Sequence, residues 1–398
     1  MKIFNLQNIR KYTQTIVSIL KIFFLSFKIF YKNKNSKFIF FYFPVKAYQE
    51  NIVDVINLLN KKSDIYAYTI YNSSSTLELK KNKNSFFIDF DYLRFVPFAN
   101  FFLSKINLLI SSYVIYVFLP NTKNIYISHD IYDTPMVNKN IEKNLFLALS
   151  KLDYIFVSSD FLKKYYESSF KKYQKNNINN INNKKVNVVN TGYLKLDHVV
   201  KLLKKTKYQK NKFCILIAPT ACKHYSKYNL SSDLRKIINS LVVKKYHIIY
   251  RPHPLDLTYK GNQFLVEKIK QNYQKFKNFE LDFSPSYIES YKKSDLLLTD
   301  FSGTAYTYAF SKKSPVIFYS KYPNIKLPND LKKLYYFKDR KNVGYVVSNF
   351  LDMQEKVKKI NKNKNIFTYK IQDLLSKRIQ YNGNSLNKTQ ESIIKLFK

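Results

Sequence analysis

An aspartate and small hydroxyl residues stand where an apolar run gives way to a segment with helical character. SDLLLTD ends at Asp300 and leads into Ser302, Gly303 and Thr304. Ser302 occupies a helix N-cap position, and the first turn of a helix offers unpaired backbone N–H groups and the positive end of the dipole. Small residues there let a phosphate approach closely. The junction predicts an anion site, or alternatively a capped helix without a ligand.

A second apolar run, YHIIY, leads into Arg251-Pro252-His253-Pro254. The two prolines stiffen a turn that would hold Arg251 and His253 at the end of a strand. A guanidinium grips phosphate oxygens with two hydrogen bonds, and an imidazole can donate one or exchange a proton near neutral pH. We expect Arg251 to bind phosphate and His253 to be catalytic; a purely structural histidine in a proline turn is the alternative.

Two further strand ends carry polar side chains. In NIYISHDIYDTP, His129 stands beside Asp130 and near Asp133. A histidine oriented by a carboxylate can act as a general base, although the two aspartates can equally cap the helix that follows. In CILIAPTACKHYSK, Thr220 and Lys223 offer another anion contact or form a polar loop.

Parallel strands would bring these ends to one edge of a sheet. From residue 36 onward, short apolar, β-branched or aromatic runs alternate with longer segments of helical periodicity. This alternation is typical of α/β proteins, whose sheets bind ligands at the carboxyl ends of the strands. The strand series restarts at KFCILIAP, after a lysine-rich crossover near residues 196–212, which predicts two Rossmann-like doubly wound domains facing a cleft. The predicted division is 1–35 (basic amphipathic helix), 36–195 and 210–335 (the two domains) and 336–398 (helical segment).

The net charge of the chain limits the classes of molecule that it can bind. The chain has 68 lysines and arginines against 27 acidic residues, a net charge of +41, which favours nucleic acid, anionic lipid or phosphorylated substrates. Only six of the basic residues are arginines, and no nucleic-acid-binding motif is present, so we expect no nucleic-acid partner. Two cysteines are too few for a disulfide framework and indicate a reducing compartment. The histidine spacing fits no zinc motif, so we expect no metal.

Residues 11–32 predict a helix with a narrow basic stripe and a wide apolar face. Such a helix can lie in the bilayer interface, where each nearby lysine contributes about 1 kcal/mol on anionic lipid. Packing on the protein's own surface is the alternative. Lys21 interrupts the apolar core and no small-residue cleavage site follows, which argues against a signal peptide. We expect a peripheral protein at the cytoplasmic face of the cell membrane, with an anionic membrane surface as a partner.

A second apolar stretch, residues 95–120, is long enough to span a membrane. Strand-like segments of a soluble domain flank it on both sides. We therefore interpret it as a buried helix that passes into a short strand.

The ordered set NIYISHDIYDTP, TGYLKLD, ILIAPT, YRPHP and SDLLLTDFSGTAYTYAF resembles the CDP-glycerol glycerophosphotransferases that build teichoic-acid-like polymers. TGYLKLD is similar to the family's G-Y-P-R-x-D, and R-P-H-P and S-D-x-x-x-[ST]-D-[FYW]-S are its other marks. The resemblance implies a GT-B-like fold, no cofactor, and a nucleotide-activated donor, CDP-glycerol or similar. A hydroxyl of a glycan or lipid-linked acceptor would attack phosphorus and expel CMP.

The resemblance also implies residue roles. His129 looks like the acceptor-side general base, while His253 and Arg251 would contact the diphosphate. The remaining candidates would hold the phosphate or position the donor: Asp300, Ser302, Gly303, Thr304, Thr220, Lys223 and Lys195. The chain departs from the family pattern at four places. H-D-I-Y-D-T-P replaces H-G-T-P-x-K, Lys195 replaces an arginine, and Thr307 stands where a glutamate is frequent. The arginine that often follows Ala-Pro-Thr is absent, and Lys223 is a candidate substitute for it.

Two other functions fit the same sequence features. A GT-B glycosyltransferase that uses a nucleotide sugar in capsule or lipooligosaccharide synthesis would need the same phosphate-binding strand ends. A non-catalytic, membrane-associated polyanion-binding protein would use the charge without any chemistry.

Overall fold

The computed structural model describes most of the chain, and its contacts divide the chain into two units. The described residues are 6–32, 35–43, 52–71, 85–87, 103–112, 119, 121–128, 131–132, 139–175, 185–204, 212–221, 230–258, 260–320 and 334–397. Unit 1 comprises Met1–His129, Asn140–Asp197 and Gln380–Lys398, and unit 2 comprises Asp130–Lys139 and His198–Ile379. The chain therefore leaves unit 1 twice and returns to it twice.

Unit 1 contains a parallel sheet with the strand order β3-β2-β1-β4-β5-β6-β7. In the described residues its strands are β1 (Lys37–Phe43), β2 (Ile65–Tyr71), β3 (Ser85–Phe87), β4 (Ile106–Ser111), β5 (Lys123–Ile127), β6 (Tyr154–Val157) and β7 (Asn187–Asn190). The first helices are α1 (Leu6–Phe30), α2 (Val53–Leu59), α3 (Lys139–Leu149), α4 (Asp160–Lys175) and α5 (Leu194–Lys204).

Helices cover both faces of this sheet, so its central strands are apolar throughout rather than alternating. Along β1, Phe38 and Phe40 belong to the core on the face of α1, while Ile39, Phe41 and Phe43 belong to the core on the face of α2. α1 packs onto the sheet through three buried side chains one helical turn apart, Ile22, Leu25 and Ile29.

The apolar stretch 95–120 contains a short strand, as predicted, but this strand occupies the centre of the stretch, where a helix was expected. Residues 106–111 form β4, which lies between β1 and β5 and is buried at Ile106, Leu108, Leu109 and Ile110. A continuous apolar run in a doubly covered strand has no alternation that would distinguish it from a buried helix. Most of the remaining stretch lies outside the described residues.

Unit 2 contains a second parallel sheet, with the order β10-β9-β8-β11-β12-β13. Its described strands are β8 (Cys214–Ile217), β9 (His247–Tyr250), β10 (Phe279–Leu281), β11 (Leu296–Thr299), β12 (Val316–Tyr319) and β13 (Gly344–Val347). Its helices are α6 (Leu234–Val243), α7 (Pro254–Thr258), α8 (Lys260–Tyr273), α9 (Ile288–Lys293), α10 (Thr304–Lys312), α11 (Tyr335–Val343), α12 (Phe350–Lys362) and α13 (Thr368–Arg378). The predicted α/β class with two parallel sheets is confirmed.

The last helix, α14 (Ser385–Lys395), belongs to unit 1 and not to unit 2, which precedes it in the chain. Ile393 is fully buried in the core on the α2 face of the unit 1 sheet. Leu386, Ile394, Leu396 and Phe397 pack against the same core. The chain's final helix therefore completes the core of the unit in which the chain began.

Candidate active site

The topology of unit 2 points to one edge of its sheet. All its strand pairs are parallel, so the carboxyl ends meet at one edge, and the strand order reverses between β8 and β11. Ligands of doubly wound sheets bind outside the carboxyl ends at such a reversal. Thr220 follows β8, Arg251 follows β9, Asp282 follows β10 and Asp300 follows β11. The reversal therefore lies between the segment that carries Thr220 and the segment that carries Asp300, both of which were predicted to belong to the site.

Asp300 is fully buried, and its carboxylate binds backbone amides. Oδ1 accepts from the N–H of Thr220 at 2.9 Å and of Phe301 at 2.6 Å, and Oδ2 accepts from the N–H of Leu230 at 2.9 Å. Burial raises the pKa of Asp300, and these amide hydrogen bonds oppose the shift. The hydrogen bonds of Asp300 thus connect the end of β11 to two other segments. One is the loop after β8, and the other is the segment that precedes α6.

Small, half-buried residues begin α10. Gly303 is its N-cap, one residue later than predicted from the sequence, and has an ordinary helical φ of −59°. The Ser302 hydroxyl accepts a long hydrogen bond from the Thr304 N–H at 3.4 Å, and the Ser302 carbonyl accepts from Tyr336 Oη at 3.1 Å. The Ser302 carbonyl also accepts from the Ala305 N–H at 3.2 Å, and Gly303 itself provides no side-chain cap. An anion bound by this first turn would have to exchange for the bonds of the Thr304 and Ala305 amides.

Arg251 is held by the loop that follows β10. Its Nη1 forms an ion pair with Asp282 Oδ2 at 2.6 Å and hydrogen-bonds Ser284 Oγ at 3.2 Å, and its Nη2 donates to the Ser284 carbonyl at 2.8 Å. Both terminal nitrogens are therefore engaged by the protein. A diphosphate would have to reach the remaining N–H groups of this guanidinium or exchange for these bonds.

His253 has a defined tautomer in its neutral form. Its Nδ1 accepts a hydrogen bond from the Leu255 N–H at 3.2 Å, at the start of α7. The proton of the neutral ring is then on Nε2. His253 is half-buried, so it can present an N–H donor at the sheet edge.

The structure places seven of the ten predicted site residues at one edge of one sheet. Those at the carboxyl edge of the unit 2 sheet are Thr220, Arg251, His253, Asp300, Ser302, Gly303 and Thr304. Lys195 belongs to unit 1, in the first turn of α5. His129 and Lys223, together with Asp130 and Asp133, lie outside the described residues.

Two residues of this edge were missed by the sequence interpretation. Asp282 ends the apolar run FEL, and the same strand-end rule that selected Asp300 would have selected it. Tyr291, whose hydroxyl hydrogen-bonds Thr304 Oγ1 at 2.6 Å, has no signal of this kind, since it lies within α9. Among the described residues, no group of three or more His, Cys, Asp and Glu side chains could hold a metal ion.

Solved structures share this architecture. The wall teichoic acid polymerase TagF matches with a TM-score of 0.60 at 16% identity, over 98% of both chains. TagF soaked with CDPG matches with a TM-score of 0.63 at 17% identity, over 99% of this chain and 98% of that one. A UDP-GlcNAc 2-epimerase from Methanocaldococcus jannaschii matches with a TM-score of 0.56 at 15% identity, over 91% of this chain and 99% of that one. The predicted GT-B-like fold is confirmed by these likenesses, which at such identities concern the fold alone.

Sequence comparison identifies the family. The minor teichoic acid biosynthesis protein GgaB of Bacillus subtilis is 28% identical over 180 residues, which are 44% of this chain. The match covers only 18% of the length of GgaB. The sequence pattern of the CDP-glycerol:poly(glycerophosphate) glycerophosphotransferase family matches residues 22–395. The predicted resemblance is confirmed: the chain belongs to this family.

Proposed function

We propose that the protein transfers a glycerol-phosphate, or a similar polyol-phosphate, from a CDP-activated donor to a hydroxyl of a cell-surface polymer or lipid-linked glycan. CMP is the second product. The observation that supports the proposal is the placement of His253, after β9, and of the first turn of α10, after β11, at the same carboxyl edge of the unit 2 sheet, where the strand order reverses between β8 and β11. In a chain of this family, that edge suits a nucleotide diphosphate.

The reaction asks mainly for positioning and charge neutralisation. The acceptor oxygen forms a bond to the polyol-bearing phosphorus, and the bond from that phosphorus to the bridging oxygen of CMP breaks. The amides of Gly303 and Thr304 and the Ser302 hydroxyl would stabilise the developing charge on the phosphate oxygens. The Nε2–H of His253 would donate to the diphosphate, whose bridging oxygen leaves with CMP.

Four further residues predicted from the sequence are assigned roles in this reaction. We assign the proton of the acceptor hydroxyl to His129 as general base, as its likeness to the acceptor-side histidine of the family implies. Lys195 and Lys223 would add positive charge for the donor or the acceptor. Thr220 would position the donor through its neighbour Asp300, which binds the Thr220 amide.

Phosphorus NMR tests the reaction. We expect the purified protein to release CMP from CDP-glycerol when an acceptor is supplied, and His253→Ala to slow this release about 10²–10⁴-fold. His247→Ala is the matched control, because His247 begins the strand that precedes the His253 turn and lies roughly 10 Å from the carboxyl end of that strand. A nucleoside diphosphate released from a nucleotide sugar would instead support a glycosyltransferase. Turnover of neither donor class would support a non-catalytic binding protein.

We also propose that the protein attaches peripherally to the cytoplasmic face of the membrane through α1. Its outer side carries large apolar side chains that are 41–78% exposed: Ile16, Val17, Leu20, Phe23, Phe24, Phe27 and Phe30. Lys21 and Lys28 are exposed on the same helix, and the whole chain carries a net charge of +41. Apolar area flanked by lysines suits the interface of an anionic bilayer. Within the described residues, no helix is long and apolar enough to cross a membrane.

Vesicle sedimentation tests the attachment. We expect binding to vesicles that contain phosphatidylglycerol, reduced at least tenfold in Phe23→Ser/Phe24→Ser. Leu351→Ser is the control, since Leu351 is 75% exposed on a helix of unit 2. Equal binding by the double variant and the wild type would remove α1 as the attachment site.

A further inference from the structure

The carboxylate of Asp282 collects four hydrogen bonds just after β10. It accepts from Arg251 Nη1 at 2.6 Å, from the Ser284 N–H at 2.8 Å, and from the hydroxyls of Ser284 and Ser290. We call these four residues the Asp282 cluster. The side chains of Asp282 and Arg251 are only 8% and 15% exposed, so water cannot readily replace these bonds.

The charges within the cluster are matched. Burial raises the pKa of Asp282, but hydrogen bonds from Ser284 and Ser290 and the charge of Arg251 outweigh this effect and lower the pKa overall. The carboxylate is therefore ionised near neutral pH and paired with the guanidinium. Removing one partner would leave the other charge largely buried and uncompensated.

The short helix α9 connects this cluster to the start of α10. Ser290 and Tyr291 are consecutive residues, and successive side chains of a helix point about 100° apart. Ser290 donates to Asp282, while Tyr291 hydrogen-bonds Thr304 Oγ1 at 2.6 Å. Both residues of α9 are buried. A continuous path therefore runs from the turn that carries His253, through the Asp282 cluster and α9, to the first residue of α10.

We propose that Asp282 is a positioning residue, which fixes the His253 turn relative to the first turn of α10 through Arg251, Ser290 and Tyr291. The proposal rests on the proposed function and refines it. It assigns Arg251 primarily to this cluster, because Asp282 and Ser284 occupy both of its terminal nitrogens. A displacement of about 1 Å in a group that positions a reacting phosphate can cost about 10²-fold in rate.

Kinetics of CMP release from CDP-glycerol provide the first test. We expect Asp282→Asn to lower kcat about 10–100-fold and to change the donor KM much less. Arg251→Gln should have a similar effect, and the double variant should be no slower than the worse single variant, since both substitutions break one cluster. A phosphate-binding arginine would give a different pattern, in which Arg251→Gln raises the donor KM and Asp282→Asn changes nothing. That pattern would overturn the proposal.

Tyr291→Phe removes one hydroxyl and conserves the packing of the ring. We expect a several-fold loss in kcat, because Thr304 loses its hydrogen bond at the start of α10. Tyr273→Phe is the matched control, since Tyr273 also donates one hydrogen bond in unit 2, to the Arg235 carbonyl at 2.9 Å. Equal kcat values for the two tyrosine variants would contradict a path through α9.

Hydrogen exchange by mass spectrometry separates this proposal from the proposed function, because it needs no substrate. In Asp282→Asn we expect faster amide exchange in peptides covering 282–291 and also in those covering 302–306. Faster exchange in 282–291 alone would overturn the proposal even if the wild type releases CMP. A wild type that releases no CMP would reject the proposed function and leave the exchange result to decide the positioning role.

Discussion

Gly192, a residue of the TGYLKLD motif, has a structural role, because it lets another segment of the chain pack closely against it. Its φ is +80°, and an added Cβ would lie 2.7 Å from Ser385 Cβ and 3.0 Å from the Gln380 carbonyl oxygen. Asp197 of the same motif accepts hydrogen bonds from the Gly383 N–H at 2.8 Å and the Ser385 N–H at 2.9 Å. The glycine and the aspartate therefore bind the returning C-terminal segment, a role that the resemblance alone did not assign.

Substitution of Gly192 tests this close approach. We expect Gly192→Ala to lower the free energy of unfolding by about 2–4 kcal/mol, because it adds overpacking to the cost of a left-handed backbone. Gly383→Ala is the control: its φ is +83°, and an added Cβ meets nothing within 4 Å. It should cost only about 1–2 kcal/mol. Urea unfolding followed by far-UV circular dichroism measures both free energies. Equal losses would show that the C-terminal segment moves away from an added Cβ at residue 192 without loss of stability.

Among the elements, α10 begins at the candidate site and ends in an unusual cap. Lys313 caps its C-terminus in the left-handed conformation, with φ 57° and ψ 27°. Glycine is favoured at such a position because it has no Cβ. Burial also lowers the pKa of Lys313 to about 8. The end of this helix is therefore held in a conformation that its residue type does not favour.

Lys313→Gly is expected to stabilise the protein by about 1 kcal/mol at pH 7, because it removes the left-handed strain and a desolvated ammonium group. The ordinary lysine pKa is about 10.4. Between pH 8 and pH 10.4, roughly, the unfolded chain binds a proton that the folded protein does not, so the stability of the wild type rises with pH. Thermal unfolding across this range should show the rise in the wild type and a smaller one in the variant.

Lys245→Gly is the control for the pH effect. Lys245 also has a positive φ, 62°, but its side chain is exposed. Its substitution should relieve the same kind of backbone strain without removing a desolvated ammonium group. If Lys313→Gly has the same pH dependence as Lys245→Gly, the desolvated ammonium group of Lys313 does not contribute.

The secondary structure elements also show which parts of the fold could be predicted from the sequence. Runs such as KFIFFYF and SDLLLTD predicted β1 and β11, because each is flanked by polar or turn residues and followed by a helical period. β4 was hidden inside a longer apolar run, and β13 has only the four residues GYVV, too few for any periodicity. Asp300 was correctly placed at a strand end, whereas its three amide partners depend on two loops that meet only in the folded sheet.

At the scale of the whole molecule, the chain order differs from the order of the units. The residues from Gln380 onward follow unit 2 in sequence and complete unit 1 in space. Gln380 Oε1 accepts from the Asp160 N–H at 3.0 Å, and Lys123 Nζ donates to the Leu396 carbonyl at 2.8 Å. This long-range closure could not be read from periodicity, which predicted only a helical C-terminal segment.

The stability of unit 1 should therefore depend on residues at the far end of the sequence. Ile393→Ala is expected to lower the free energy of unfolding by about 2–5 kcal/mol, since it opens a cavity in the core shared with α2. Leu351→Ala, at a residue that is 75% exposed, should change it by less than about 0.5 kcal/mol. Hydrogen exchange locates the effect: Ile393→Ala should accelerate exchange in β1 and α2, in the first third of the chain. Acceleration confined to α14 would mean that this helix unfolds locally and that unit 1 is stable without it.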